Sequence, residues 1–217
     1  MKKKNRKNLY GAVSLLAVFI LWTAAVQLVD VQPIGPKGSA VGFAAVNGYI
    51  HELTGVHMWL YTMTDWLSLV PAGFLFGFGL MGLVQWIRRK SIRKVDYSIL
   101  ILGGFYIAVM AAYLFFEQFP VNYRPLLIGG VLEASYPSST TMLVMCVMLT
   151  AAMQLKSRIK NRRVGWCMTA VLMAFTVFMV LARLISGVHW FTDIVGGLLL
   201  SSGLVMTYVF ISNLKQQ

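Results

Sequence analysis

The chain has 217 residues, of which 58% are hydrophobic and 12% are charged. Ordinary soluble domains carry about 25% charged residues, so the composition excludes that class and predicts a polytopic membrane protein. The formal net charge of +12 would suit a nucleic-acid-binding protein, but the basic residues form short clusters beside apolar runs, as in cytoplasmic loops of membrane proteins. We therefore expect one all-α membrane-embedded domain over residues 1–217 and no nucleic-acid partner.

Six apolar segments are long enough to cross a bilayer, which takes about 20 residues each. They cover residues 9–29, 66–87, 97–116, 139–155, 164–184 and 190–212. The first follows a basic tail, as a signal peptide does, but its apolar run is too long and no small-residue cleavage site closes it. The sequence thus predicts an uncleaved first span and a six-transmembrane-helix bundle.

The charges predict the orientation of this bundle in the membrane. With the N-terminus inside, every Lys and Arg except Lys37, Arg124 and Arg183 lies on the cytoplasmic side, in residues 2–7, 88–94 and 156–163 and at Lys215. The acidic residues lie at the other face, apart from Asp96. Such a positive-inside bias predicts cytoplasmic N- and C-termini, in a cell membrane of the bacterial type.

Two outer connections are longer than tight turns. Residues 30–65 begin rich in Gly and Pro and continue with Phe43, Val46, Ile50 and Leu53 at helical spacing, which predicts an amphipathic helix in the membrane interface. Residues 116–140 are too polar to span. Both connections are expected on the outer face.

Arg124 and Arg183 each border an apolar span on that face. Ionisable residues in such places are costly and usually functional, although an interfacial arginine can also extend to lipid phosphates. His189 and Asp193 are four residues apart at the start of the last span, so they share one helix face. Asp193 can then accept a hydrogen bond from one ring nitrogen and leave the other as a nucleophile or base. Trp190 beside them is expected to be an interface anchor.

Ser138 and Ser139 follow Pro137 at the start of the fourth span, where they suit an N-cap. A helix start offers unpaired N–H groups and a positive dipole end, which favour phosphate. Three segments thus bring two guanidiniums, a helix start and a His–Asp pair to one face, a set suited to a phosphoryl group attacked by histidine. The spacing around Cys146 and Cys167 indicates packing residues, and we expect neither metal nor cofactor.

These residues resemble the phosphatidic-acid-phosphatase type 2 (PAP2) family of membrane phosphatases, which is related to the vanadium haloperoxidases. The family has three motifs, K-x6-R-P, P-S-G-H and S-R-x5-H-x3-D. The third reads Ala182-Arg183-LISGV-His189-WFT-Asp193 here, with only its leading Ser replaced, and the second reads Pro137-Ser138-Ser139-Thr140. The first keeps Arg124-Pro125 but has Glu117 in place of Lys.

The resemblance implies metal-independent hydrolysis of a membrane lipid phosphate at the outer face. It implies that His189 is the nucleophile that forms a phosphohistidine and that Asp193 orients it. It further implies that Arg124, Arg183 and Ser138 bind the phosphoryl oxygens.

Two departures from the family motifs bear on this activity. A carboxylate at Glu117 repels phosphate unless it turns away, and Thr140 stands where the family has its general-acid histidine. Loss of a general acid typically costs about 10²–10⁴-fold in rate. A diphosphate such as undecaprenyl diphosphate needs no general acid, because its leaving group is a phosphate, which is far more acidic than an alcohol and can leave without a proton. Alternatively, His51 or His57 replaces the acid.

Two other functions stay open at this stage. One is a weakly active or inactive protein that binds lipid phosphates, and the other is a phosphotransferase that passes the phosphoryl group to an acceptor other than water. The lipid tail, the acceptor and the oligomeric state have no signature in the sequence.

Overall fold

The structure, a computed structural model, describes the backbone of residues 3–214 and the side chains of residues 5–214. This part of the chain contains eight α-helices and no β-strand. The helices are α1 (Lys3–Leu28), α2 (Ala44–Thr54), α3 (Met58–Leu67), α4 (Leu69–Arg89), α5 (Tyr97–Gln118), α6 (Ser139–Arg158), α7 (Arg162–Ile185) and α8 (Phe191–Ser212). The predicted all-α class is confirmed, while Lys2 and Lys215, which the charge pattern predicts to be cytoplasmic, lie outside the described residues.

Six helical stretches are long and apolar enough to cross a membrane, as predicted. They are Asn5–Leu28, Met58–Arg89, Tyr97–Gln118, Ser139–Arg158, Arg162–Ile185 and Phe191–Ser212. The main difference from the predicted bounds is the second stretch, which begins at Met58 rather than at residue 66. The backbone N–H of Ser68 donates to the carbonyl of Thr64, so α3 passes into α4 across a single residue. Residues 58–65 were therefore wrongly assigned to the outer connection.

The predicted helix in the outer connection is α2, which begins just after Phe43. Val46 and Leu53 are exposed, as the apolar face of an interfacial helix should be. Asn47 of the same helix is buried, and its Nδ2 donates to Gly42 O at 2.7 Å and to Thr192 Oγ1 at 3.0 Å. A buried amide thus attaches α2 to the start of α8.

Helix α6 lies at the centre of the bundle, packed against α7 and α8. In its apolar window 61% of the residues are buried, more than in the other five stretches. Helix α1 runs antiparallel to α8, with Trp22 near Thr192 and Gly11 near Met206. The start of α6, the end of α7 and the start of α8 therefore meet at one end of the bundle, which is the end that contains the predicted site residues.

Candidate active site

The carboxylate of Asp193 is fully buried in the first turn of α8. Its Oδ2 accepts the backbone N–H of Trp190 at 2.9 Å and a short hydrogen bond from the Ser135 hydroxyl, and its Oδ1 accepts the Asn122 amide at 3.2 Å. Three donors from two segments therefore fix both oxygens. Asn122 and Ser135 had no signal in the family motifs and were not predicted.

His189 does not bond directly to Asp193, contrary to the sequence-based expectation. Its Nδ1 is 3.8 Å from Asp193 Oδ2 but 3.0 Å from Ser135 Oγ. A separation of 3.8 Å is too long for a hydrogen bond. The single hydroxyl proton of Ser135 goes to Asp193, so its oxygen accepts from Nδ1–H of His189. This assigns the ring proton to Nδ1 and leaves a lone pair on Nε2.

The Nε2 atom of His189 faces Arg124, with Nη1 at 3.4 Å. Burial lowers the pKa of His189, and the charges of Arg124 and Arg183 act in the same direction against the opposing effect of Asp193. The imidazole is therefore neutral near neutral pH. A neutral ring with its lone pair beside a guanidinium is suited to attack a phosphorus atom that the guanidinium binds.

Arg124 is positioned by a short hairpin, residues 122–135, between α5 and α6. Its backbone N–H donates to Glu133 O at 3.0 Å, and its Nε forms an ion pair with Glu133 Oε2 at 2.9 Å. Its guanidinium carbon also lies 5.8 Å from the centre of the Tyr61 ring. The residue is buried, so it is not an arginine that extends to lipid headgroups.

Arg183, in the last turn of α7, is also buried and is bound by α3. Its Nη1 donates to Thr64 Oγ1 at 2.8 Å, its Nη2 donates to Asp65 Oδ1 at 2.9 Å, and its guanidinium carbon is 4.7 Å from the Tyr61 ring centre. Tyr61 thus contacts both arginines. These α3 residues were missed, although three polar or aromatic positions spaced i, i+3 and i+4 in an apolar run are a detectable signal.

Ser138 is the N-cap of α6, as predicted. Its hydroxyl accepts the Thr141 N–H at 3.4 Å, and its own N–H donates to the backbone carbonyl of Asp193 at 3.0 Å. The second and third motifs are therefore joined directly. Ser139 is the first helical residue, and it lines a cavity of about 270 Å³ together with Thr140 and Asp65.

The loop that contains His189 is packed tightly against the connection between α2 and α3. Gly187 has φ +69°, and a Cβ at this position would lie 2.0 Å from the carbonyl oxygen of Gly55. The N–H of His57 also donates to Ser186 O at 3.0 Å. Only glycine fits this approach, which brings the loop before His189 against the connection between α2 and α3.

The two histidines considered as replacement acids have other contacts. His57 Nε2 is 2.9 Å from Thr54 O, and the His51 ring lies 5.4 Å from the Trp190 ring. Within the described residues, neither ring bonds to Arg124, Arg183 or His189.

Trp190 and Glu117, two residues singled out in the sequence, differ in their burial. Trp190 is buried and donates from Nε1 to Tyr123 O at 2.8 Å, so the expectation of an interface anchor was wrong. Glu117 is exposed in the last turn of α5 and forms no ion pair within the described residues. The described residues also contain no His, Cys, Asp and Glu cluster able to hold a metal ion.

Comparisons with known proteins bear on the family and on the fold. The PAP2 superfamily model matches residues 117–216. The fold is similar to the crystal structure of a transmembrane PAP2-type phosphatidylglycerolphosphate phosphatase from Bacillus subtilis, with 18% identity, a TM-score of 0.63, and coverage of 95% of this chain and 97% of that chain. No curated protein sequence matches the chain significantly. Residues 117–216 thus match the model of the PAP2 superfamily, and the chain as a whole has a fold similar to that of a transmembrane PAP2-type phosphatase.

Proposed function

We propose that this protein hydrolyses a lipid phosphate or a polyprenyl diphosphate at the extracytoplasmic face of the cell membrane, without a metal, through a phosphohistidine on His189. The observation that carries the proposal is the position of His189 Nε2, a lone-pair nitrogen 3.4 Å from the guanidinium of Arg124. An Nδ1 proton directed to Ser135 keeps that lone pair available.

In the proposed reaction Arg124 and Arg183 bind the phosphoryl oxygens, with help from the start of α6 at Ser138 and Ser139. His189 Nε2 attacks phosphorus in line, the bond to the leaving oxygen breaks, and the positive charge on the ring is stabilised through Ser135 by Asp193. Water then attacks the phosphohistidine and releases phosphate. Electrostatic stabilisation of the transferred group supplies most of the rate in such reactions.

Three substrate classes suit this site. The Bacillus subtilis structure is named for phosphatidylglycerolphosphate, a phosphate monoester. Phosphatidic acid is a second monoester with the same leaving-group chemistry. Undecaprenyl diphosphate differs because its leaving group is a phosphate, which needs no proton.

The experiment is phosphate release by the purified protein in detergent from these three lipids, with a metal chelator present. A His189→Ala variant that folds, as judged by its melting temperature, is the control. We expect release by the wild type and only background release by His189→Ala, together with an acid-labile phosphoenzyme in the wild type. Equal release by the two proteins would refute the phosphohistidine mechanism.

A second candidate function is a non-catalytic lipid-phosphate binder. It is favoured by the pairing of both guanidiniums with carboxylates, Arg124 with Glu133 and Arg183 with Asp65. It predicts that the wild type binds the lipids but releases no more phosphate than His189→Ala.

A further inference from the structure

The proposed reaction lacks a group that protonates the leaving oxygen of a phosphate monoester. Thr140 occupies the position that the PAP2 resemblance assigns to the acid, and a threonine hydroxyl is too weak an acid for this step. The ring nitrogen Nε2 of His57 is bonded to Thr54 O, and the ring of His51 packs near Trp190. The acid must therefore come from another part of the site.

Asp65 has the position that this role requires. Its Oδ1 is 2.9 Å from Nη2 of Arg183, so it contacts a guanidinium that the proposed reaction uses to bind phosphate. It also lines the cavity of about 270 Å³ that contains Thr140 and Ser139. Its side chain keeps 47% of its area exposed, which leaves the carboxyl able to move to a bound ligand.

The other carboxylates near the site do not combine these features. Glu133 is paired with Arg124 through Nε and lies on the hairpin between α5 and α6, and it does not line the cavity beside Thr140. Glu117 is exposed and contacts neither arginine within the described residues. Asp193 is fully buried and saturated by three donors.

We propose that Asp65 is the general acid and base that replaces the missing second-motif histidine, an inference that rests on the function proposed above. When the substrate phosphoryl group binds Nη2 of Arg183, it displaces the carboxyl of Asp65. The phosphate monoester binds as its monoanion, and its proton passes to the displaced carboxylate of Asp65, which lines a mainly apolar cavity. The protonated carboxyl then lies next to the scissile bond.

The reaction balances with Asp65 in this role. As His189 Nε2 bonds to phosphorus, the bond from phosphorus to the lipid oxygen breaks, and that oxygen takes the proton of the Asp65 carboxyl. In the second half the Asp65 carboxylate takes a proton from the attacking water, the N–P bond breaks, and phosphate leaves. The released phosphate carries this proton away, so His189 and the carboxylate of Asp65 both return to their starting states.

The test compares two leaving groups on the same purified protein. Asp65→Asn keeps an oxygen that can accept from Arg183 but has no proton to transfer. For an alkyl phosphate monoester we expect Asp65→Asn to lower the single-turnover rate of phosphohistidine formation by about 10²-fold or more, the usual contribution of a general acid. For a nitrophenyl phosphate, whose leaving group needs little protonation, the loss in this rate should stay below about tenfold. The later attack of water needs Asp65 as a base with either substrate, so kcat is not the quantity compared.

Two variants separate this role from a structural one. Glu133→Gln removes the matched carboxylate on the other arginine, and its effect should be similar for the two leaving groups. Thr140→His in the Asp65→Asn background places an imidazole across the same cavity, and it should restore the alkyl ester reaction by at least about tenfold. Melting temperatures establish that each variant is folded.

The outcomes distinguish this inference from the proposed function. Equal losses for both leaving groups in Asp65→Asn, without rescue by Thr140→His, would show that Asp65 only positions Arg183 and would overturn the inference. Wild-type turnover no greater than that of His189→Ala on either substrate would instead overturn the proposed function itself.

Discussion

Ser135 mediates the contact between the carboxylate of Asp193 and the imidazole of His189. Its hydroxyl donates to Asp193 and accepts from Nδ1 of His189 at 3.0 Å, while the carboxylate and the imidazole stay 3.8 Å apart. The hydroxyl thereby fixes both the tautomer and the orientation of the ring. Ser135 touches no reacting atom in the proposed reaction, so it is a positioning residue.

Replacing Ser135 by Ala leaves the buried Nδ1–H of His189 without its acceptor. An unsatisfied buried group costs about 1–3 kcal/mol, so we expect kcat to fall by about tenfold to a hundredfold. KM should change little, because both arginines keep their positions. The rate of phosphohistidine formation in a single turnover, measured at several substrate concentrations, shows whether Ser135→Ala changes the chemical step or substrate binding. Ser138→Ala is the control, because Ser138 lies at the helix start proposed to bind phosphate, and this variant should act mainly on KM. If Ser135→Ala changed KM as much as kcat, the positioning role of Ser135 would be contradicted.

The sequence indicated that Arg183 is functional, but it did not indicate which residues bind Arg183. Its place beside an apolar span indicated a functional charge, because an unneeded charge there is costly. Its partners Thr64 and Asp65 lie 119 and 118 residues away in the chain. Residue type and spacing in one segment carry no information on contacts at that separation.

At the scale of elements, the loop between α7 and α8 depends on glycine at position 187. Gly187 has φ +69° and approaches Gly55 O, whereas Gly129 in the hairpin has φ +58° and a Cβ there would meet no atom within 4 Å. The two residues therefore share the backbone strain that alanine would introduce, but only Gly187 also has a steric clash. Gly129→Ala is therefore a matched control for Gly187→Ala.

We expect Gly129→Ala to lower stability by about 1–2 kcal/mol, the usual cost of a left-handed conformation for a residue with a Cβ. Gly187→Ala should cost more and should also reduce phosphatase activity, because the clash with Gly55 displaces the loop that contains His189. Melting temperatures and phosphate release in the same detergent measure both effects. Similar results for the two variants would show that the close packing of the loop is not required.

Helix α3 is the element that the sequence described least well. Its residues were grouped with the polar outer connection because the apolar run before residue 66 is interrupted by Thr62, Thr64 and Asp65. In the structure Thr64 is buried and Asp65 is paired, both with Arg183, so these polar groups are satisfied within the bundle. Polar residues inside this span thus bind Arg183 and do not mark the end of the helix.

In the part of the chain that the structure describes, the basic loops and the candidate site lie at opposite ends of the bundle. The segments of residues 88–94 and 156–163 join α4 to α5 and α6 to α7, whereas the candidate site lies where α6 and α8 begin and α7 ends. Positive loops remain in the cytoplasm, so this separation supports an outward-facing site.

Cysteine labelling on intact cells tests the orientation. In a background with Cys146→Ala and Cys167→Ser, a Val131→Cys variant places a thiol on the hairpin, where Val131 is 60% exposed. We expect a membrane-impermeant maleimide to label this thiol, and to label Lys160→Cys only after the cells are opened. The reverse pattern would place the candidate site in the cytoplasm.

The sequence alone determined the helical class, the six spans and the spacing of Arg183, His189 and Asp193. Each follows from a local rule: a span must be apolar to enter lipid, and residues four apart share a helix face. The tertiary structure decided which groups meet at the site. Ser135 between histidine and aspartate and Asp65 on Arg183 depend on packing between segments far apart in the chain, where many pairings suit the same local patterns.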